Sequence, residues 1–225
     1  MASSCVKLSS VVRILAAADI HGVLEVYEWL VELAEKHEAH LVVLAGDLFA
    51  GGWEEEQRQQ AQIIIRVLKR MPVPLLYLMG NDDFVALDYE DEHVKPLHGR
   101  RLDFGGHGFV GYQYSLPFVG GIFEKPEAEI ERDLGSLEPL LDEQTVLVTH
   151  SPAYGILDRV HVGDHVGSRS LAALLARKPV LAHIHGHIHE SFGRQGKHFN
   201  VAAAGRQRAV IIELPTLEHK TILGD

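Results

Sequence analysis

Five short polar stations in this chain each follow an apolar run: Asp19-Ile20-His21, Gly46-Asp47, Gly80-Asn81-Asp82-Asp83, Thr149-His150 and Gly186-His187-Ile188-His189. Carboxylate, amide oxygen and imidazole together suit divalent cations of borderline hardness, such as Mn²⁺, Fe or Zn²⁺. Two such cations ~3.5–4 Å apart need a bridging carboxylate to soften their repulsion, and one aspartate can serve both. Fifteen histidines are the compositional oddity of the chain. Each station taken alone has a plainer reading. Asp19 or Asp47 serves equally well as a helix cap, and His150 as a satisfied buried histidine. Asn81 fits a turn, and the tract from His183 to His189 fits a surface stretch that scavenges metal. All these readings would have to hold independently at five places.

The elements that must position these residues explain why the joint reading is stronger. Val11–Ala18, Leu41–Ala45 and Pro74–Met79 are short, nearly continuous apolar runs, the pattern of strands buried on both faces. Val23, Val26, Leu30, Leu33 and Ala34, then Ala61, Ile64, Ile65 and Leu68, recur at helical spacing between them. Strands separated by helices imply parallel pairing through right-handed crossovers. The stations therefore sit at the carboxyl ends of strands, where the loops of α/β sheets converge on one crevice. Further on, Thr145–Thr149 reads as a buried strand, and Ala128–Leu141 and Leu171–Ala176 as helices, the second capped by Ser168. Val180–His185, Phe199–Ala203 and Ala209–Leu214 read as the last three strands. Between Lys95 and Gly121, Phe109–Ser115 reads as short antiparallel strands. The run Gly106-His107-Gly108-Phe109-Val110-Gly111 spells a dinucleotide fingerprint, but an aromatic strand follows where that motif needs a helix. Hairpin glycines are the better reading.

Composition narrows the function classes. The formal charge of −10 and the lack of a basic run of five argue against strong nucleic-acid binding. Apolar stretches such as Val73–Gly80 fall far short of the ~18 residues of a membrane span. Met1 to Ser10 carries no continuous apolar segment of a secretory signal. A single cysteine, Cys5, fits a reducing compartment, so a cytoplasmic location is expected. Without repeats or a linker, residues 1–225 read as one domain.

In order and spacing, the motifs DIH, GD, GND, TH and GHIH resemble those of the calcineurin-like metallophosphoesterase superfamily, over residues 19 to 189. The run His187–Gly193, Phe199-Asn200, Glu213-Leu214-Pro215 and the loop Ser151–Ser168 look like its small metallophosphoesterase-domain-containing branch. The resemblance implies a four-layer αββα sandwich of two mixed β-sheets flanked by helices, which agrees with a parallel start and an antiparallel remainder read from the apolar runs. It implies two divalent metal ions, with Asp19, His21 and His189 on the first, Asn81, His150 and His187 on the second, and Asp47 bridging. The implied reaction is hydrolysis of a small phosphate ester, a nucleotide among the candidates, by a hydroxide held between the metals; a phosphodiester is preferred over a monoester. His183 and His185 have no ligand role in the family and are expected to pack.

One position departs from the pattern. The family has histidine after the asparagine, where this chain has Asp82, of the wrong charge to neutralise a transition state and a poor proton donor beside two cations. The loop Ser151–Ser168 is expected to overhang the metal site and bring His161 and His165 to it. Two other classes stay open: a weakly active or non-catalytic nucleotide-binding or regulatory member of the same fold, and a different metallohydrolase. The second lacks its signatures, since no HxHxDH cluster occurs. Oligomeric state is not legible.

Overall fold

Alternate residues of the first strand face two different cores. The computed structural model describes residues 11–224, so the readings of Cys5 and of Met1 to Ser10 lie outside the described residues. In β1 (Val12–Ala17), Ile14 and Ala16 point into one apolar cluster while Leu15 and Ala17 point into another, and all four are fully buried. A strand covered on both faces has no polar alternation to show, hence the continuous apolar run.

The chain continues through α1 (Leu24–Lys36), β2 (Leu41–Ala45), α2 (Glu54–Leu68), β3 (Leu75–Leu78) and β4 (Val94–Pro96). It then runs through β5 (Arg101–Phe104), β6 (His107–Tyr112), α3 (Glu127–Leu137), β7 (Thr145–Thr149), α4 (Arg169–Arg177) and β8 (Ala182–His185). The last strands are β9 (Gly193–Gln195), β10 (His198–Asn200), β11 (Arg208–Leu214) and β12 (Glu218–Leu223). Two six-stranded sheets result, ordered β12-β11-β1-β2-β3-β4 and β5-β6-β7-β8-β10-β9.

Three cores make four layers. Tyr27, Leu30, Ile64 and Leu68 of α1 and α2 cover the outer face of the first sheet, against Leu15 and Leu44. Ile14, Val43, Leu78, Phe109, Val148 and Ile184 fill the space between the sheets. Ile130, Leu134, Leu171 and Leu174 of α3 and α4 cover the second sheet, against Val110 and Leu147. Each such side chain contributes about 1.5–3 kcal/mol by leaving water. The αββα sandwich of two mixed sheets is therefore as the motifs implied. Ser168 caps α4 as read, its Oγ accepting from Leu171 N at 3.1 Å.

Three readings need correction. The second half is not an antiparallel remainder: β6–β7 and β7–β8 pair in parallel because α3 and α4 are crossover helices like α1 and α2, and β8–β10 is parallel as well, joined through the intervening β9. Among the strands described, antiparallel pairing is confined to β5–β6, β9–β10, β1–β11 and β11–β12. Nor is Ala209–Leu214 the last strand; β12 follows as an exposed edge, too polar to announce itself. Finally, Phe199–Ala203 stops being a strand after Asn200, where the chain leaves the sheet and Ala202 bridges to Ala18. The glycine-rich fingerprint is indeed part of a hairpin: Gly105 and Gly106, both at positive φ, link β5 to β6, and no helix follows.

Candidate metal centre

Beyond the ends of β1 and β2 the two chains stay zipped together. Asp19 N donates to Gly46 O at 2.9 Å, His21 N to Asp47 O at 3.0 Å and Gly22 N to Leu48 O at 2.9 Å. Along this strip Asp19, His21 and Asp47 adopt φ of 55°, 51° and 51°, and His187 after β8 adopts 72°. Left-handed backbone at non-glycine residues costs of order 1–3 kcal/mol each and persists only where the surroundings over-determine it. The kinks turn side chains that strand alternation would send to opposite faces into one cleft. Gly80 shows how tight the floor is, since a Cβ there would collide with Asp47 Oδ1 and the His150 ring.

All seven residues singled out by motif converge. Asp19, His21 and His189 form one group and Asp47, His150 and His187 a second, the donor atoms within each lying within 4.8 Å of one another. His21 Nε2 lies 3.3 Å from His189 Nε2, which lies 3.3 Å from Asp19 Oδ1. Asn81 Oδ1 lies 2.9 Å and Asp47 Oδ1 3.4 Å from His150 Nε2. His150 Nδ1 lies 2.9 Å from Ala45 O and donates to it, which in a neutral, metal-binding ring would leave the Nε2 lone pair toward the cleft.

The electrostatics fit a cation site. Burial, and then the charge of Asp19, push the Asp47 carboxyl well above the usual carboxylate range. Burial alone would raise Asp19 too, but the hydrogen bond from His189 and the charges of His150 and His189 override it and hold Asp19 at about 2. Burial would lower His21, yet the hydrogen bond to Asp82 and the charges of Asp47 and Asp19 raise it to about 9. His187 is pushed down to about 3 by burial and by His150. A buried cluster that favours protons on His21 and Asp47 is short of positive charge, and its oxygen and imidazole donors are those that divalent cations accept.

Asp82 and Asp83 take different roles. Asp82 Oδ2 lies 3.1 Å from His21 Nδ1, so Asp82 accepts from the nitrogen on the far side of the ring from His189. Its backbone N donates to Asp47 Oδ1 at 2.8 Å. Asp83 is buried beneath the cluster, accepting from Leu48 N, Phe49 N and Gly80 N, which ties the Asp47 loop to the Asn81 loop. Gln57 of α2 clamps the same segment, donating to Asp82 O at 2.8 Å and accepting from Phe84 N at 2.6 Å. Asn200 holds the loop of His187 and His189 by donating to Ile188 O at 2.8 Å.

The loop Ser151–Ser168 does border the cleft, but not through its histidines. His165 Nδ1 donates to the buried Asp158 carboxylate, which also accepts from Gly155 N and Gly167 N, and Arg159 takes the other ring nitrogen. His161 is 87% exposed, paired only with Glu190 at 3.4 Å. Val160 and Val166 reach the cleft instead. His183 and His185 pack, stacked 4.9 Å apart, as expected. Sequence reasoning missed the walls of the cleft, an opening of about 510 Å³ lined by Leu116, Phe118, Val119, Val160, Val166 and Ile188 beside the ligand set. The signal was present in Ser115-Leu116-Pro117-Phe118-Val119-Gly120-Gly121: bulky apolar residues between turn formers, of which only Leu116 packs on a core while Phe118 and Val119 stay exposed.

Comparison with known proteins agrees with this architecture. The sequence profile of the calcineurin-like phosphoesterases matches residues 12–191. A probable rhamnogalacturonate lyase C of Emericella nidulans is 27% identical over 172 residues, 69% of this chain and 16% of that protein. The uncharacterized protein YpbG of Bacillus subtilis is 26% identical over 139 residues, 60% of this chain and 51% of that one. The chain thus matches a minor part of the first and about half of the second. Among solved structures, a dimetal phosphatase from Danio rerio superposes with a TM-score of 0.63 at 12% identity, covering 95% of this chain and 99% of that one.

Proposed function

The chain belongs to the calcineurin-like phosphoesterases, and on that premise we propose that it hydrolyses a small phosphate ester, a diester in preference to a monoester, with two divalent metal ions. Asp19, His21 and His189 would hold one ion, Asn81, His150 and His187 the other, and Asp47 both; Mn²⁺, Fe and Zn²⁺ suit the donors. The observation that carries this reading is the convergence of two Asp/His groups in one cleft, with Asn81 Oδ1 against His150. The runs around Ser151–Ser168 and His187–Gly193 support the small metallophosphoesterase-domain-containing branch. The single cysteine supports a reducing compartment, the cytoplasm.

Such ions supply the positive charge and the activated water that in-line attack on phosphorus needs. The protein side is preorganisation. Ala45 O fixes the tautomer of His150, the carboxylate of Asp19 accepts from His187 N, and Asp82 holds the ring of His21. Held this way, Asp82 is a hydrogen-bond acceptor, which supports a positioning role over a proton-donating one. Asp82 and Glu190 line the cleft, and among the described residues no lysine or arginine does. A singly charged diester meets less repulsion there than a doubly charged monoester.

The test is elemental analysis of the purified protein combined with assays on aryl phosphate mono- and diesters. Two metals per chain, a higher diesterase than monoesterase rate, and loss of both metals and hydrolysis in Asp47→Ala are expected. One metal at saturation, or wild-type turnover by Asp47→Ala, would overturn the assignment.

A further inference from the structure

We propose that the ester arm carried by the substrate is apolar and uncharged, and that it rests on the wall formed by the 116–119 segment and the Val160–Val166 segment. This deepens the phosphoesterase reading and rests on it. The wall begins at the ligand set itself: the Phe118 ring packs edge-on to His187, with centroids 5.7 Å apart. From there Leu116, Val119, Val160, Val166 and Ile188 extend it across the cleft.

Two features separate this wall from ordinary surface. First, bulky apolar side chains stand in water on the segments that border it: Phe118 is 76% exposed, Ile122 57% and Val162 82%. Phe118 and Val162 top no core of their own, Phe118 lines the cleft itself, and exposed bulky apolar side chains beside a site mark binding surface. Second, the polar part of the cleft offers an arm no complement. Beyond the candidate ligands its ionisable lining is Asp82 and Glu190, both acidic, and neither lysine nor arginine is present among the described residues that line it. Away from the metal ions, a second phosphate or a carboxylate on the arm would face Asp82 and Glu190 with no lysine or arginine to offset them. An alkyl or aryl arm loses nothing there and sheds its water.

The experiment separates this inference from the reading it rests on. In Mn²⁺ buffer, binding of methylphosphonate, hexylphosphonate and phenylphosphonate is measured by calorimetry. Turnover of p-nitrophenyl phosphodiesters bearing methyl, hexyl, phenyl or carboxyhexyl arms is measured in parallel, so that the leaving group stays constant. The apolar arms are expected to bind and turn over about tenfold better than methyl, the low end for apolar groups entering a hydrophobic site. The carboxylate-tipped arm should fall below hexyl. Phe118→Ser and Val166→Ser should shrink the phenyl-to-methyl ratio while metal content stays at two per chain. Ile63→Ser, an exposed apolar site on α2, should leave that ratio unchanged. Equal affinity for the three phosphonates, or an undiminished phenyl preference in the Phe118→Ser, Val166→Ser double variant, overturns the proposal. Absence of hydrolysis with a retained phenylphosphonate preference would instead overturn the phosphoesterase reading alone.

Discussion

Two pairs of histidines in one seven-residue tract end in opposite environments. His183 and His185 lie on β8, and with Ala182 and Ile184 facing the core between the sheets, strand alternation sends both rings to the helix side. There they stack on each other, with His183 Nε2 2.9 Å from Thr149 Oγ1 and its Nδ1 3.2 Å from His198 Nδ1. No carboxylate is among these partners, and burial pushes His183 well below its ordinary value and His185 down to about 4. Past Gly186 the strand has ended. The left-handed turn at His187 swings the next two imidazoles toward Asp19 and Asp47. A histidine's chemistry in this fold is thus decided by which side of a strand end it occupies and by whether a carboxylate waits there.

The largest expected effect tests that partition directly. His187→Ala should lose metal, read by elemental analysis, and with it hydrolysis, while global stability of the chelated protein changes little. His183→Ala should keep its metal and lose about 2–4 kcal/mol of stability in denaturant unfolding, as for other large buried side chains cut to alanine. If His183→Ala strips the metal while His187→Ala retains it, the partition is the reverse of the one drawn here.

How much of this was legible depended on periodicity. β2 and β7 could be bounded from their apolar runs because both faces of each are covered, and the ligand stations followed as their carboxyl-end neighbours. The edge strands β4, β9 and β12 were not legible, since short or exposed strands carry little apolar signal. The parallel pairing of β6, β7 and β8 was legible in principle from the helices between them, and was missed by following the aromatic hairpin. At the site, residue identity announced the donors, but not what orients them. That Asp82 reaches His21 depends on the turn at Gly80–Asp83, and that His165 is spent on Asp158 depends on a loop closing on itself. Side-chain pairs across such loops have no fixed spacing to read.

A smaller effect is expected at Asp82, which makes His21 unlike His183 by giving it a carboxylate. Asp82→Asn keeps the shape and removes the charge. Partners of this kind, on a ligating histidine, are typically worth about 10–100-fold in metal affinity or activity. Calorimetric metal titration should show weakened binding at one of two sites, with Asp82→Glu recovering part of it. Unchanged affinity at both sites in Asp82→Asn would remove Asp82 from the set that positions His21.

The smallest effect concerns pH, and the sign distinguishes the two kinds of histidine. His98 is another histidine without a carboxylate partner: burial and the neighbouring Lys125 lower it to about 4, against the weaker pull of Asp133, and Gln113 N donates to its Nδ1. A histidine lowered in the fold takes up its proton more readily when unfolded. Its contribution is therefore intact above about 6.5 and is lost progressively as pH falls toward about 4. His21, raised to about 9, runs the other way in metal-free protein, contributing fully below about 6.5 and losing that contribution as pH climbs through 9. The two trends overlap in the wild type, so the informative quantity is a difference. His98 packs against Tyr112 and Tyr114, with ring centroids 5.7 and 5.2 Å away, and His98→Phe preserves an aromatic there. In chelated protein, the melting temperature of His98→Phe relative to wild type should rise between pH 7.5 and pH 5. For a chain of this length each kcal/mol corresponds to roughly 2–4 °C. A constant difference between the two pH values would mean that His98 meets its proton as easily folded as unfolded, and that burial without a carboxylate is not what separates it from His21.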